Sequence, residues 1–165
     1  MYDDKSRRGS VNHRLVQVLE LGHVNLFVTD LDRSTRFYRG VLCLPEVARA
    51  VINGRRVAFF SLGTRHHDLA LVEVGDARRT PQAPQPGLNH VGLKIGDSLN
   101  DLRAVRDHLR ESRIEPSAYR DHRVCKSIHI ADPDGIGIEL YADADPAIWG
   151  MDPAAVAFSQ PLQLD

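Results

Sequence analysis

Two short stretches, LGHVNLFV at 21–28 and LNHVGLKI at 88–95, carry nearly the same letters, with a histidine at the same place in each. This repeat is the strongest constraint in the chain, because a fold available to one copy must also suit the other. The resemblance continues outward. After the first copy, TDLDRSTRFYRGVLCL sets Phe37, Val41 and Leu42 at helical spacing behind the candidate caps Asp30 and Asp32. After the second, Leu99, Leu102, Val105 and Leu109 form an apolar stripe behind Ser98, with Asp101 placed to close a capping box. Three β-rich runs then follow each helix: PEVARAVI, RVAFFSL and HDLALVEV in the first half, IEPSAY, VCKSIHI and IGIELYA in the second. Both halves predict the order β-α-β-β-β, an α+β architecture.

Each half is too short to bury a comfortable core by itself, so the two are expected to share one. The expected organisation is an extension at 1–19, a first module at 20–75, a linker at 76–87, a second module at 88–143 and a tail at 144–165. The stretch GDARRTPQAPQPG supplies the linker signal through its prolines and glycines.

Composition narrows the function classes. With 21 basic against 22 acidic side chains and a formal charge of −1, nothing favours nucleic acid or an acidic membrane surface. No apolar run approaches the roughly 18 residues of a membrane span, and MYDDKSRRGSVNHR lacks the apolar centre of a secretory signal, so a cytoplasmic protein is expected. Cys43 and Cys125 have no C-x-x-C spacing and are expected to be buried free thiols.

Strand alternation points to the chemistry. His23, Asn25 and Phe27 fall on one face of their strand, and Val24, Leu26 and Val28 on the other. The second copy sets His90, Gly92 and Lys94 opposite Val91, Leu93 and Ile95. Glu139 interrupts the apolar alternation of GIGIELYA, and a carboxylate there needs a cation or a partner. A lone strand histidine is usually a satisfied core residue, but two at equivalent positions together with Glu139 suggest convergence. Two histidines and one carboxylate make the facial set that binds non-haem Fe(II), and Mn(II), Ni(II), Co(II) or Zn(II) could occupy a similar set.

The paired GHVNLFVTDLDRSTRFYRGVL and NHVGLKI, closed by DPDGIGIELY, resemble the vicinal oxygen chelate superfamily over residues 20 to 143. That superfamily includes glyoxalases, extradiol catechol dioxygenases and fosfomycin or bleomycin resistance proteins. The resemblance implies a curved mixed sheet around a metal site, with His23, His90 and Glu139 as metal ligands. It also points to single-domain catechol 2,3-dioxygenase-like proteins. Glyoxalases of this type carry a second glutamate where this chain has Ala70, and Glu73 could compensate only in a shifted register. RHHDLAL resembles the segment that bears an acid–base histidine in extradiol enzymes, which implies His67, with His66 as the alternative. DHRVCKSIHIADPDG keeps Asp121 and His122 of the family pattern but has Arg123 for a glycine and His129 for a tyrosine. His122 is implied in acid–base work. His129, in the place of a substrate-binding tyrosine, could keep that role, add a ligand or mark a different substrate.

The expected protein is therefore a metal-dependent, most simply Fe(II)-dependent, extradiol dioxygenase acting on a catechol-like aromatic and dioxygen, as in aromatic catabolism. A homodimer is expected, with the site inside one chain or shared between two. A glyoxalase-like lyase or isomerase is the alternative, as is a non-catalytic drug-binding resistance protein. A fosfomycin-type transferase should also show a basic cluster for the phosphonate, and none stands near the expected ligands.

Overall fold

The computed structural model describes residues 18–76 and 86–165. Most of the expected extension and linker, residues 1–17 and 77–85, lies outside the described residues.

The first half runs β1 (Val24–Val28), α1 (Leu31–Arg36), β2 (Glu46–Ile52), β3 (Arg55–Phe60) and β4 (Leu69–Glu73). The second runs β5 (His90–Gly96), α2 (Leu99–Glu111), β6 (Ala118–Asp121), β7 (Cys125–Ala131) and β8 (Gly137–Asp143). Helix α3 (Ala147–Met151), a 3-10 turn and a short strand β9 (Gln160–Pro161) follow. The strands form two mixed sheets, ordered β1-β4-β3-β2 and β5-β8-β7-β6-β9. In each half the first strand pairs in parallel with the last, and the other pairs are antiparallel. The expected α+β architecture is thus present in both halves.

The local signals act as predicted. Asp30 accepts from the Arg33 amide at 2.9 Å, and Ser98 accepts from the Asp101 amide at 3.2 Å while its hydroxyl donates to Asp101 at 2.7 Å. Helix α1 widens over Phe37–Val41 into a π-helical turn, where the Leu42 amide reaches back to Phe37. The sixth strand starts later than IEPSAY suggests, because Pro116 has no N–H to offer a ladder. Pairing begins at Ser117, whose amide donates to the His129 carbonyl at 2.8 Å.

Alternation sorts the side chains as expected. Leu26 and Val28 of β1 and Ile138, Leu140 and Ala142 of β8 are buried. They join Leu31, Tyr38, Leu102 and Leu109 in one core drawn from both halves. Each fully buried leucine or isoleucine stabilises the fold by about 1.5–3 kcal/mol. The opposite faces carry the histidines.

The DPDG turn ties the halves together. Asp132 Oδ1 accepts from the amides of Asp134 (2.9 Å) and Ile136 (2.7 Å), and Gly135 takes the left-handed φ of 75° that closes the turn. Across the junction, Tyr38 donates to Asp132 at 3.0 Å, and the Thr29 hydroxyl donates to Asp134 at 2.6 Å. Arg33 reaches Asp134 at 2.6 Å. Burial raises the pKa values of Asp132 and of Tyr38. The most conspicuous motif in the sequence is therefore a structural clasp that aims β8.

One expectation is corrected here. Both cysteines are free, but Cys43 is exposed, because the chain leaves the π-helical turn through a left-handed residue there (φ 55°). Cys125 is half-buried, and desolvation pushes its thiol up to about 11.

Candidate metal centre

Glu139 projects from β8 on the face opposite Ile138 and Leu140, with only 14% of its side chain exposed. Three imidazoles surround its carboxylate. His90 Nε2 lies 3.2 Å from Oε2, and the Nε2 atoms of His122 and His129 each lie 3.5 Å from Oε1. Each arrives by a different route. His90 heads β5, two positions before Gly92, which pairs with Glu139. His129 is the direct cross-strand partner of Glu139 on β7. His122 sits in the hairpin between β6 and β7, where its amide donates to the Cys125 carbonyl at 2.9 Å. Among the described residues, His122, His129 and Glu139 form a group whose ligand atoms all lie within 4.8 Å of one another.

Hydrogen bonds fix which nitrogens face the carboxylate. His122 Nδ1 is 3.1 Å from the Phe158 carbonyl, which can only accept, so this nitrogen carries the proton. In the neutral ring Nε2 is then a bare lone pair, and it is buried without a hydrogen-bond partner. His90 Nδ1 likewise meets Asn89 Oδ1 at 3.3 Å, which turns its Nε2 toward Glu139. An imidazole whose distal N–H is held by a carbonyl is the usual posture of a metal-bound histidine. Burial, opposed by Glu139, lowers the His129 pKa and keeps that ring neutral, and the buried Ser127 hydroxyl lies 3.2 Å from its Nε2. A divalent cation fits this donor set, because lone pairs and a carboxylate pointed at one another need positive charge between them.

The structure places His23 elsewhere. Its ring lies 4.4 Å from that of His67, which in turn contacts His66 at 4.4 Å and the edge of Phe59 at 5.2 Å. His23, His67 and Phe59 border a cleft of about 570 Å³ on the first sheet, lined also by Asn25, Arg55 and Val72. Among the described residues, no hydrogen bond, ion pair or ring contact joins His23 to His90 or Glu139. Burial, with His23 and His66 adding repulsion, lowers the His67 pKa.

Strand register settles the question of Glu73. Ala70 pairs with Asn25 as Glu139 pairs with Gly92, so Ala70 stands at the equivalent place in the first half. Glu73 instead accepts from the Leu31 amide at 2.9 Å and from Arg56 at 3.2 Å, fastening the start of α1. Sequence reasoning missed three supports of the site: Asn89, Ser127 and the Phe158 carbonyl. Asn89 and Ser127 are neighbours or next neighbours of the histidines they touch, which is a usable signal. The Phe158 contact has none, since it depends on where the tail folds back.

The profile of the Glyoxalase/Bleomycin resistance protein/Dioxygenase superfamily matches residues 20–140. The chain is 29% identical over 138 residues to the catechol-2,3-dioxygenase of Bacillus subtilis, covering 80% of this chain and 44% of that protein. It is 30% identical over 124 residues to biphenyl-2,3-diol 1,2-dioxygenase 2 of Rhodococcus globerulus, covering 75% and 63%. The chain thus spans roughly half the length of these dioxygenases. It is also 26% identical over 130 residues to the metallothiol transferase FosB of Staphylococcus epidermidis, covering 76% and 83%. Among solved structures, a glyoxylase/bleomycin resistance protein/dioxygenase domain from Frankia superposes with a TM-score of 0.64 at 22% identity, covering 79% and 96%.

Proposed function

The chain belongs to the glyoxalase/bleomycin resistance protein/dioxygenase superfamily, and from that premise we propose that it is a metal-dependent extradiol dioxygenase that opens a catechol-like ring. The observation that carries the reading is the Glu139 carboxylate faced by imidazole lone pairs, with the buried His122 Nε2 unpartnered. One carboxylate among imidazoles suits Fe(II), with Mn(II), Ni(II), Co(II) or Zn(II) as substitutes. The dioxygenase names of two relatives at about 30% identity support the choice of reaction.

Glu139 and His90 would hold the metal, with His23 as the third ligand by family resemblance. A bound Fe(II) supplies Lewis acidity toward the two ring oxygens and an electron path to dioxygen. The remaining work belongs to the chain. Phe59, Val57 and Val72 give the first-sheet cleft an apolar lining against which an aromatic ring can lie. His67 Nδ1 is engaged by His66, which leaves Nε2 to take a proton from the substrate hydroxyl. Its lowered pKa keeps it an unprotonated base near neutral pH. His122, turned onto Glu139, is the less suited of the two expected acid–base groups. The reading requires the His67 cleft and the Glu139 group to meet on one substrate. Exposed apolar residues beside both site strands, Leu21, Phe27 and Leu88, offer a face for a second copy, so a homodimer belongs to the proposal.

Ala70 and the fastening of Glu73 disfavour the glyoxalase-like alternative, which draws on a second carboxylate. The test is anaerobic reconstitution with Fe(II), then oxygen uptake with a panel of catechols. Uptake matched one to one by ring-opened product is expected. Turnover of a hemithioacetal without oxygen uptake would favour the lyase or isomerase instead.

A further inference from the structure

We propose that Arg55 makes the first-sheet cleft a receptor for acidic catechols, its guanidinium holding a carboxylate on a short side chain of the ring while the hydroxyls face the histidines at the other end. The inference rests on the reading of that cleft as the place where a catechol lies, and it narrows the substrate class within that reading.

Strand β3 sends its two arginines to opposite faces. The β2–β3 hairpin turns through Asn53 and Gly54, both left-handed (φ 51° and 75°), and so pairs Arg55 with Ile52. From there alternation directs Arg55, Val57 and Phe59 into the cleft and Arg56 away from it. Arg56 is matched on its own face by Asp32 at 2.6 Å and Glu73 at 3.2 Å. Arg49 is likewise held by Asp32 and Glu46, and Arg65 by Glu20. The Arg55 guanidinium, by contrast, makes no ion pair or hydrogen bond among the described residues. It reaches across β4 to lie 5.9 Å from the centre of the Phe27 ring on β1, within cation–π range. The charge is thus laid over the sheet at one end of the cleft.

The cleft has the polarity for an acid. Among the described residues no acidic side chain lines it, and Asn25 and Asn53 add amide groups that can donate. A planar guanidinium presents paired N–H donors that match a carboxylate, and here no protein carboxylate competes for them. The length fits as well. Arg55 and Phe59 are four residues apart on β3, about 13 Å, and the His67 ring meets the edge of Phe59. With a hydrogen bond of about 2.8 Å at each end, about 7–8 Å is left, close to the span from a ring hydroxyl to the carboxylate of a short acid side chain. Val57 and Val72, paired across β3 and β4 between the two ends, give the ring an apolar bed.

The test uses the full chain reconstituted with Fe(II), titrated anaerobically by calorimetry and then followed by oxygen uptake. The probes are catechols bearing a carboxymethyl or carboxyethyl group, their methyl esters and ethylcatechol. The better acid is expected to exceed its ester by about tenfold or more in affinity and in kcat/KM, the scale of a charge-assisted pair. Arg55→Ala should bring that ratio to within about twofold by weakening the acid alone, and Arg55→Lys, which keeps the charge without the fork, should recover part of it. Arg39→Ala removes an exposed arginine outside the cleft and should leave the ratio as in the wild type. A wild-type ratio near one, or equal losses in Arg55→Ala and Arg39→Ala, overturns the inference, and oxygen uptake on any catechol then leaves the dioxygenase reading standing. Binding of the acid that depends on Arg55 without oxygen uptake supports the acid subsite and sinks the dioxygenase reading. Failure of every catechol to bind overturns both.

Discussion

Ala70 and Glu139 occupy the same position in two halves of matching strand order, each paired in parallel with the residue two after a repeat histidine. One half has kept a carboxylate at this place and the other has a methyl group that is 1% exposed. Ala70→Glu would bury a charge with His23 as its nearest equivalent partner. The expected cost is at least about 2 kcal/mol, or a melting temperature lower by about 4–8 °C. Added Zn(II) or Ni(II) should recover more of that loss than it adds to the wild type, as read by a thermal melt. An unchanged melting temperature would show that position 70 accommodates a solvated carboxylate.

His67→Gln tests the acid–base role. The substitution keeps size and hydrogen bonding but cannot shuttle a proton, so metal content and substrate affinity should hold. Turnover should fall by about 100-fold or more. Steady-state kinetics beside metal analysis separates the two effects, and normal turnover would move the role to another group.

The tail is expected to act on the site through Phe158, whose carbonyl meets His122 Nδ1 and whose ring packs under Arg123. Arg123→Ala touches neither Glu139 nor an imidazole, but it removes the guanidinium from the Phe158 ring. Loosening Phe158 frees the His122 ring beside Glu139 to change tautomer, so Kd for Mn(II) should rise about tenfold, the low end of the range for lost supporting contacts. Titration of the two proteins side by side decides it. Equal affinities would mean that β9 fixes Phe158 without the stack.

The clasp between the halves has a pH signature. Burial pushes the Asp134 carboxyl up, but Thr29, Arg33 and Ser34 outweigh it and hold the group below the usual carboxylate range. A depressed folded pKa contributes stability that is present above the unfolded value of about 3.9 and lost as pH falls through the folded one. Asp134→Asn should cost about 1.5–3 kcal/mol at pH 7, and the gap from wild type should narrow as pH drops below about 4. Neighbouring Asp132, raised by burial, runs with the opposite sign but is common to both proteins. Urea unfolding at several pH values reads the difference directly.

The sequence by itself determined the parts whose physics is local. The repeat, the alternation of Leu26 and Val28 against Asn25 and Phe27, and the Asp30 and Ser98 caps each follow from neighbours within a few residues. They were enough for the strand and helix order and for the side of each strand that faces the core. What the neighbours of Glu139 are was decided only in the tertiary structure. Cross-strand register puts His129 opposite it, and a tail folding back from 36 residues away turns His122 Nε2 toward it. The assignment of His23 and His67 to a separate cleft on the other sheet is equally non-local. So is the role of Asp134, whose partners Thr29, Arg33 and Ser34 lie about 100 residues earlier in the chain. Periodicity fixes which face a side chain takes, but contact across sheets depends on how the shared core draws the two halves together, and no short window of sequence carries that information.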